Sequence, residues 1–402
     1  MRVGLTGPFE IAPLLPHLDA AELANRPVPH GLGGTPLVNL TLELLRRGLY
    51  VSVFTLDPSV DREVILQGPR LRICVGPYRH ERRGRDFFKV ERDYLLQAIK
   101  RERPDLIHAH WTYEFALAAI ESGLPHLITA HDAPFQILRY DFTPYRFIRT
   151  LMAISVLHRA QALTAVSPHV AEHLGRFFRY RRRISVVPNG LWQDLFERHA
   201  ERPRLAVTGQ VTFATVLNGW GHLKNAETAI RAFAIVRAQM PSARMLMFGK
   251  GYGVGEVAQM WARQKGLDAS IEFRGAQPYE SMLEQLATEV DVLVHPSREE
   301  SFCMVIAEAM ALRVPVVAGS RSGAVPWILD QGTAGLLVDV RSQAQVAREM
   351  VALGRDPEYR RRVATVGWEL ASQRYTMGLV ADQYVRCYQE ILQTHAHGES
   401  VG

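Results

Sequence analysis

Residues 291–319 read DVLVHPSREESFCMVIAEAMALRVPVVAG. The run DVLVHPS ends a strand that is apolar on both faces, REESFCM is a polar loop, VIAEAMAL begins a helix, and VPVVAG is a second strand. Two doubly apolar strands joined by a crossover of this length indicate a parallel sheet covered by helices. The same alternation recurs along the chain. Before residue 200 the strand candidates are VGLTG, YVSVFTL, LRICVG, DLIHAH, HLITAH, ALTAVS and ISVVPNG, and after it LAVTG, RMLMFG, IEFRG, DVLVHPS, VPVVAG and GLLVDV. The pattern predicts the α/β class twice over, in two domains of comparable size, as suits 402 residues of ordinary globular composition.

Polar segment NGLWQDLFERHAERPRLAV is the expected divider, with a fresh strand from Leu205, so the boundary is placed near residue 200. Helix starts are predicted at Thr35–Pro36 and Thr143–Pro144, where a capping hydroxyl precedes a proline. No apolar run is long enough to span a bilayer, and the N-terminal stretch lacks the pattern of a secretory leader, so a cytoplasmic protein is expected. Cys74, Cys303 and Cys387 have neither metal-site nor disulfide-framework spacing.

The net charge of +6 lies wholly in the first half. Residues 1–200 carry 26 Lys and Arg against 20 Asp and Glu, and the remainder carries 21 of each. The densest runs are RHERRGRDFFKVER from Arg79 and RFFRYRRR from Arg176. Such runs are either solvated loops or attractors of phosphate-rich surfaces. No recognition motif accompanies them, so no nucleic-acid partner is expected; a peripheral contact with an anionic membrane at its inner face is.

In open parallel sheets ligands sit beyond the carboxyl ends of the strands, which directs attention to the polar residues that follow each one. There is no phosphate-binding G-x-x-x-x-G-K-[ST] loop, no complete dinucleotide fingerprint, and no D-x-D pair to bridge a metal to a pyrophosphate. Gly33 and Gly34 precede a helix, where glycine serves either a tight turn or a close approach of backbone amides to an anion. His108, His110 and His131 follow neighbouring strands without a Cys or carboxylate to complete a metal set. Each suits hydrogen bonding to sugar or phosphate, or a structural role. In the opening stretch, Glu300 projects from the loop and Glu308 lies on the helix. Eight helical residues turn through about 800°, so the two acids would stand roughly 80° apart and grip different parts of one extended ligand. The amides of Phe302, Cys303 and Met304 approach the helix N-terminus, which favours an anion.

The stretch PSREESFCMVIAEAMALRVPVV resembles the signature of the group-one (family four) retaining glycosyltransferases, in which a Glu, seven residues and a second Glu stand in a pattern like PS..E.F....EAMA.G.PVV. The similarity continues in GG near Gly33, DLIHAHW, LITAHD, LTAVSPHVAEHL, ISVVPNG, GWGHLKNAETAIRAF, FGKGYG, IEFRGAQPYESM and GTAGLLV. The resemblance implies the GT-B fold: two Rossmann-like domains with parallel sheets facing a central cleft. Residues 1–200 would bind the acceptor, residues 201–376 would hold the nucleotide-sugar, and a C-terminal helix of about 377–402 would return to the first domain. It further implies that Glu308 takes the ribose hydroxyls, that Glu300 and the amides of Phe302 to Met304 contact the donor sugar, and that Lys224 neutralises the diphosphate. His131 would lie at the reacting centre, and Gly34, with Gly33 beside it, would line the diphosphate from the opposite domain.

The expected activity is therefore transfer of a sugar from a nucleoside-diphosphate-sugar to a hydroxyl acceptor, a sugar, glycolipid or small molecule, with retention and without metal or other cofactor. The alternatives are an isomerase or hydrolase of a sugar nucleotide, or a non-catalytic binder of one. Four departures from the family pattern bear on donor choice. Gly219 and Trp220 stand where an arginine often precedes the lysine, Cys303 replaces a common glycine, Trp327 stands where an acid is usual, and QVTFATVL reads as an insertion after the strand from Leu205.

Overall fold

The computed structural model describes residues 1–20, 23, 27–198 and 210–399. The chain divides into two compact units, one formed by Met1–Gly190 with Met377–Gly402 and the other by Leu191–Thr376. The divider expected near residue 200 and the strand expected from Leu205 both fall at 199–209, outside the described residues.

The first unit is built on β1 (Arg2–Thr6), β2 (Tyr50–Asp57), β3 (Val64–Gln67), β4 (Leu71–Pro77), β5 (Leu106–His110), β6 (His126–Ala130), β7 (Ala162–Ala165) and β8 (Ile184–Val186), in the order β3-β4-β2-β1-β5-β6-β7-β8. All pairs are parallel except β3 with β4. That antiparallel edge strand is absent from the sequence reading. Four residues closed onto β4 by a short turn leave too little periodicity to show.

The second unit holds β9 (Thr212–Val216), β10 (Arg244–Phe248), β11 (Ile271–Gly275), β12 (Val292–His295), β13 (Val316–Gly319) and β14 (Leu336–Val338) in the order β11-β10-β9-β12-β13-β14, all parallel. Here the structure corrects the reading of QVTFATVL as an insertion. The segment supplies β9, the central strand, with Phe213 and Ala214 fully buried and pairing to both β10 and β12.

Read as 3-2-1-4-5-6, the second sheet has the Rossmann order, and β4-β2-β1-β5-β6-β7 repeats it in the first. The order reverses at β1/β5 and at β9/β12, the points beyond whose carboxyl ends open α/β sheets characteristically bind ligands. Both units are thus Rossmann-like α/β domains of parallel sheets. Strands buried on both faces, such as β5, β6, β12 and β13, require helices on either side, which the long apolar crossovers supply.

Two predicted helix starts have different outcomes. Thr143 caps the Pro144–Arg159 helix by accepting the Arg146 N–H at 3.2 Å. At the Thr35–Arg46 helix, Thr35 is the first helical residue and Gly34 takes the cap position instead. Gly34 has φ of 102°, and a Cβ there would collide with the Pro8 carbonyl oxygen. The C-terminal Met377–Glu399 helix belongs to the first unit. It buries Val380, Ala381, Tyr384 and Tyr388, while Leu379 is exposed. Among the described residues no helix is long and apolar enough to cross a membrane.

Candidate active site

In the second unit, β9 and β12 end side by side at the point where strand order reverses, and each delivers one half of a charged cluster. The segment after β9 runs through Gly219, Trp220 and Gly221 to Lys224, and Asn225 follows in a left-handed conformation at the cap of the Ala226–Gln239 helix. The Asn225 amide donates to the carbonyls of Pro296 at 3.0 Å and Val340 at 2.8 Å, tying this segment to the loops after β12 and β14. Strand β12 ends at His295, and its loop carries Glu300 toward the Met304–Ala311 helix.

Lys224 Nζ donates to Glu300 Oε1 at 2.8 Å, and His295 Nε2 lies 3.1 Å from the same oxygen. Burial alone would push the Glu300 carboxyl up, but the Lys224 ammonium and His295 hold it well below the usual carboxylate range. Lys224 is raised in turn: burial works against its charge and Glu300 more than compensates. Its side chain remains about a quarter exposed, so the ammonium stays reachable. Gly323, at φ 60°, brings the next loop so close to Glu300 that a Cβ would strike the Glu300 carbonyl oxygen; the neighbouring Ala324 N–H donates to that oxygen at 2.8 Å.

Phe302, Cys303 and Met304 enter the helix, whose first internal bonds run from the Ile306 and Ala307 N–H groups to the Cys303 carbonyl. The amides before Ile306 therefore lie at the positive end of the helix without intrahelical acceptors. Cys303 is buried, its sulfur 3.3 Å from His295 Nε2, and burial followed by the nearby Glu300 charge pushes its thiol up. Phe302 packs edge-on against Tyr375 at 5.6 Å and lies 6.4 Å from Trp327, so the tryptophan standing in place of the family's acid supports the Glu300 loop through its ring.

Glu308 is buried about one turn into the same helix, where it accepts the Tyr279 hydroxyl at 2.9 Å. Burial pushes its carboxyl up to about 7, with the Tyr279 bond opposing that rise. Two carboxylates eight residues apart are thus held in opposite condition, one firmly ionised and one poised near neutrality. Among the described residues, His295, Glu300 and Cys303 place one donor atom each within 4.8 Å of one another, the one set at metal-ligand spacing. The Lys224 ammonium already sits on its carboxylate.

Sequence reasoning named Glu300, Glu308, Lys224 and the 302–304 amides, and these occupy one loop–helix–loop region; it missed His295, Arg298 and Tyr279. Arg298 matters because the arginine expected ahead of Lys224 is lacking. Its Nη2 donates to Asn225 Oδ1 at 3.0 Å, its guanidinium also meets His222, and its backbone N–H donates to Leu223 at 2.9 Å, so a second cation lies against the Lys224 loop. His295 ends an apolar strand and Arg298 lies in the polar loop that follows it, positions that could have nominated them.

The first unit carries the remaining predicted residues. His110 ends β5 and His131 follows β6, with His110 Nδ1 2.8 Å from His131 Nε2. Trp111, at φ 64°, stacks on His131 with ring centroids 4.2 Å apart. Burial pushes His131 down to about 3 and lowers His110 as well, so the bond joins two neutral rings and one proton lies between them. His110 Nε2 is buried with no partner among the described residues. A buried bare imine nitrogen is less costly than a buried orphan N–H, which places the proton on His110 Nδ1 and leaves His131 with an N–H at Nδ1.

His108 packs on His110 with ring centroids 4.1 Å apart but takes no part in the His110–His131 hydrogen bond. Its two ring nitrogens meet Tyr388 Oη and Thr129 Oγ1, each at 2.7 Å, a fully satisfied core role. Gly33, at φ 81°, has open space where a Cβ would stand, whereas Gly34 is already required by the turn against Pro8.

Comparison with known proteins agrees with this geometry. Residues 34–191 match the family described as Glycosyltransferase Family 4 and residues 198–367 that described as Glycosyl transferases group 1. N-acetyl-alpha-D-glucosaminyl L-malate synthase of Bacillus anthracis is 22% identical over 314 residues, covering 76% of this chain and 80% of that protein. Sucrose-phosphate synthase from Thermosynechococcus elongatus superposes with a TM-score of 0.77 at 19% identity, over 98% of this chain and all of that one. Anabaena HepE in complex with UDP-glucose superposes with a TM-score of 0.67 at 18% identity, over 97% of this chain and all of that one. With GT-B glycosyltransferases as its structural neighbours and family matches over both Rossmann-like units, the chain belongs to the group 1, family 4 glycosyltransferases.

Proposed function

We propose that this glycosyltransferase moves a hexose from a nucleoside diphosphate to a hydroxyl acceptor with retention of configuration and without a resident metal. The observation that carries the reading is the Lys224–Glu300–His295 cluster at the β9/β12 reversal, beside the start of the Met304–Ala311 helix. A departing nucleoside diphosphate carries two to three negative charges. In this reading the Lys224 ammonium, the adjacent Arg298 and the free helix amides meet that charge. One cation at 4 Å contributes about 4 kcal/mol at an effective dielectric near 20.

Glu300 is then an orienting group. A carboxylate held so far below its ordinary range by Lys224 is a weak nucleophile and a weak base, which favours accepting hydrogen bonds from the sugar hydroxyls over bonding to the anomeric carbon. Retention without a carboxylate nucleophile calls for attack on the face from which the diphosphate leaves, with the leaving phosphate taking the acceptor proton. His131, neutral and carrying its proton at Nδ1, would donate to a donor hydroxyl, and Glu308 would accept from the ribose. The proposed setting is cytoplasmic, in glycan, polysaccharide or glycolipid synthesis, with a peripheral contact to anionic membrane.

A thermal-shift panel of UDP, GDP and ADP, with UDP tried first because the Anabaena neighbour binds UDP-glucose, tests the donor site. The expected result is a rise in melting temperature with one nucleotide, sharply reduced in Lys224→Met. No shift with any of the three would remove the donor reading. Proton NMR of the anomeric centre in the product, run with and without EDTA, checks retention and metal independence. Free sugar or an epimer formed in place of a glycoside would instead support the hydrolase or isomerase alternative.

A further inference from the structure

The two basic runs of the first half differ sharply in how their charge is used. In the run from Arg79, three of the six cations are paired, Arg79 with Asp86 and Glu91, Lys89 with Asp93 and Arg92 with Glu121, and Arg83 lies over the Tyr78 ring. In the run from Arg176, all five arginines are exposed, and among the described residues Arg176, Arg179, Arg181 and Arg183 form no ion pair. Arg182 donates only to the carbonyls of Ala160 and Gln161. This loop therefore keeps a concentrated positive charge facing solvent.

An apolar surface adjoins it. On the Pro144–Arg159 helix, Phe147, Leu151, Ile154 and His158 follow one another at spacings of four, three and four, which puts them on one face. Phe147 is 45% and Leu151 37% exposed, and Phe142, just ahead of the helix, is 71% exposed with its ring 6.4 Å from that of Phe147. The C-terminal half of the same face lines a groove of about 450 Å³ whose opposite wall is the segment from Phe177 to Arg182. Phe177 is itself 49% exposed. Large side chains exposed together beside uncompensated cations mark a contact surface rather than scattered surface residues.

We propose that this face seats the protein on an anionic phospholipid surface. Phe142, Phe147 and Phe177 enter the boundary between headgroups and acyl chains, while Arg179, Arg181 and Arg183 meet the lipid phosphates. Charge complementarity selects an anionic partner, and the branched and aromatic hydrocarbon of the stripe selects lipid over nucleic acid, whose bases need flat stacking platforms and whose backbone offers nothing to Leu151 or Ile154. The surface deepens the membrane contact proposed above but stands on its own residues, and donor binding is untouched if it fails.

Flotation with vesicles of phosphatidylcholine alone, and of phosphatidylcholine mixed with phosphatidylglycerol, at low and high salt tests it. The intact protein is expected to float with the anionic vesicles and to release as salt rises. Changing Arg179, Arg181 and Arg183 together to Gln should weaken that binding roughly a hundredfold, at about fivefold for each charge. Phe147→Ser with Phe177→Ser should also weaken it, and both variants should keep the wild-type melting temperature and nucleotide shift. Equal binding to both vesicle types, no binding at low salt, or binding indifferent to either set of changes would overturn the proposal. So would retention on single-stranded RNA in place of vesicles. Loss of the nucleotide shift in wild-type protein would strike the donor reading alone.

Discussion

Glu308 shows how one buried carboxyl can tie function to pH. Its carboxyl is raised to about 7, so it is mostly protonated below neutrality, and the role we propose for it, accepting two ribose hydroxyls, draws on the ionised form. Nucleotide affinity measured by calorimetry should therefore rise between pH 6 and 8. Tyr279→Phe removes the bond that opposes the rise and should move the midpoint upward, while Glu308→Gln should flatten the profile. For stability the sign is opposite: a carboxyl raised on folding costs stability progressively from its unfolded value up to about 7, so the Gln variant should gain most above pH 7. His110 makes a second, independent case. As the donor to His131, it should be replaceable by Asn, which keeps an N–H, better than by Ala or Phe. Nitrogen NMR of histidine-labelled protein should report a proton on His131 Nδ1 in the wild type and a mixture of tautomers in His110→Ala. The finding of His131 Nε2–H in the wild type would refute the assignment.

At the scale of elements, Gly33 and Gly34 look alike in the sequence and differ in the fold. Gly34→Ala places a methyl group against the Pro8 carbonyl at φ 102° and should cost about 1–3 kcal/mol of stability, read as an earlier denaturant midpoint. Gly33→Ala meets only open space and should cost about 1 kcal/mol for its positive φ, any larger loss appearing in nucleotide binding. Most strands were legible because doubly buried parallel strands are short and continuously apolar, as DVLVH and VPVVAG are. Val64–Gln67 was not, since a four-residue edge strand needs only one apolar face and its pairing is set by the turn to β4. The segment QVTFATVL was misjudged because threonines interrupt its apolar run, although Thr212 and Thr215 are buried within it. Within the site, Glu300 and Glu308 could be named from spacing and context. The contacts of His295 lie within eight residues of it, whereas those of Arg298 with the Lys224 loop and of Tyr279 with Glu308 join distant segments, a property of topology that no local window contains.

On the scale of the whole molecule, the first unit is assembled from two separate stretches of chain. The Met377–Glu399 helix contributes Tyr388 to buried His108, and Arg47 reaches Asp382 at 2.5 Å and the Gly378 carbonyl at 2.7 Å. Truncation after Thr376 strips that cover from β5 and β6 and leaves His108 with an unmet nitrogen. The shortened chain should lose cooperative melting of the first unit, monitored by near-ultraviolet circular dichroism, while Leu191–Thr376 retains its own core. Leu191 and Thr376, the two ends of the second unit, pair in a parallel bridge, with the Leu191 N–H donating to the Tyr375 carbonyl at 2.7 Å. The Lys224–Glu300–His295 cluster and Glu308 are thereby encoded in one uninterrupted segment whose start and finish meet. Recombination could exchange it as a cassette at two neighbouring joints; under the proposed function, that exchange would alter sugar choice without rebuilding the first unit.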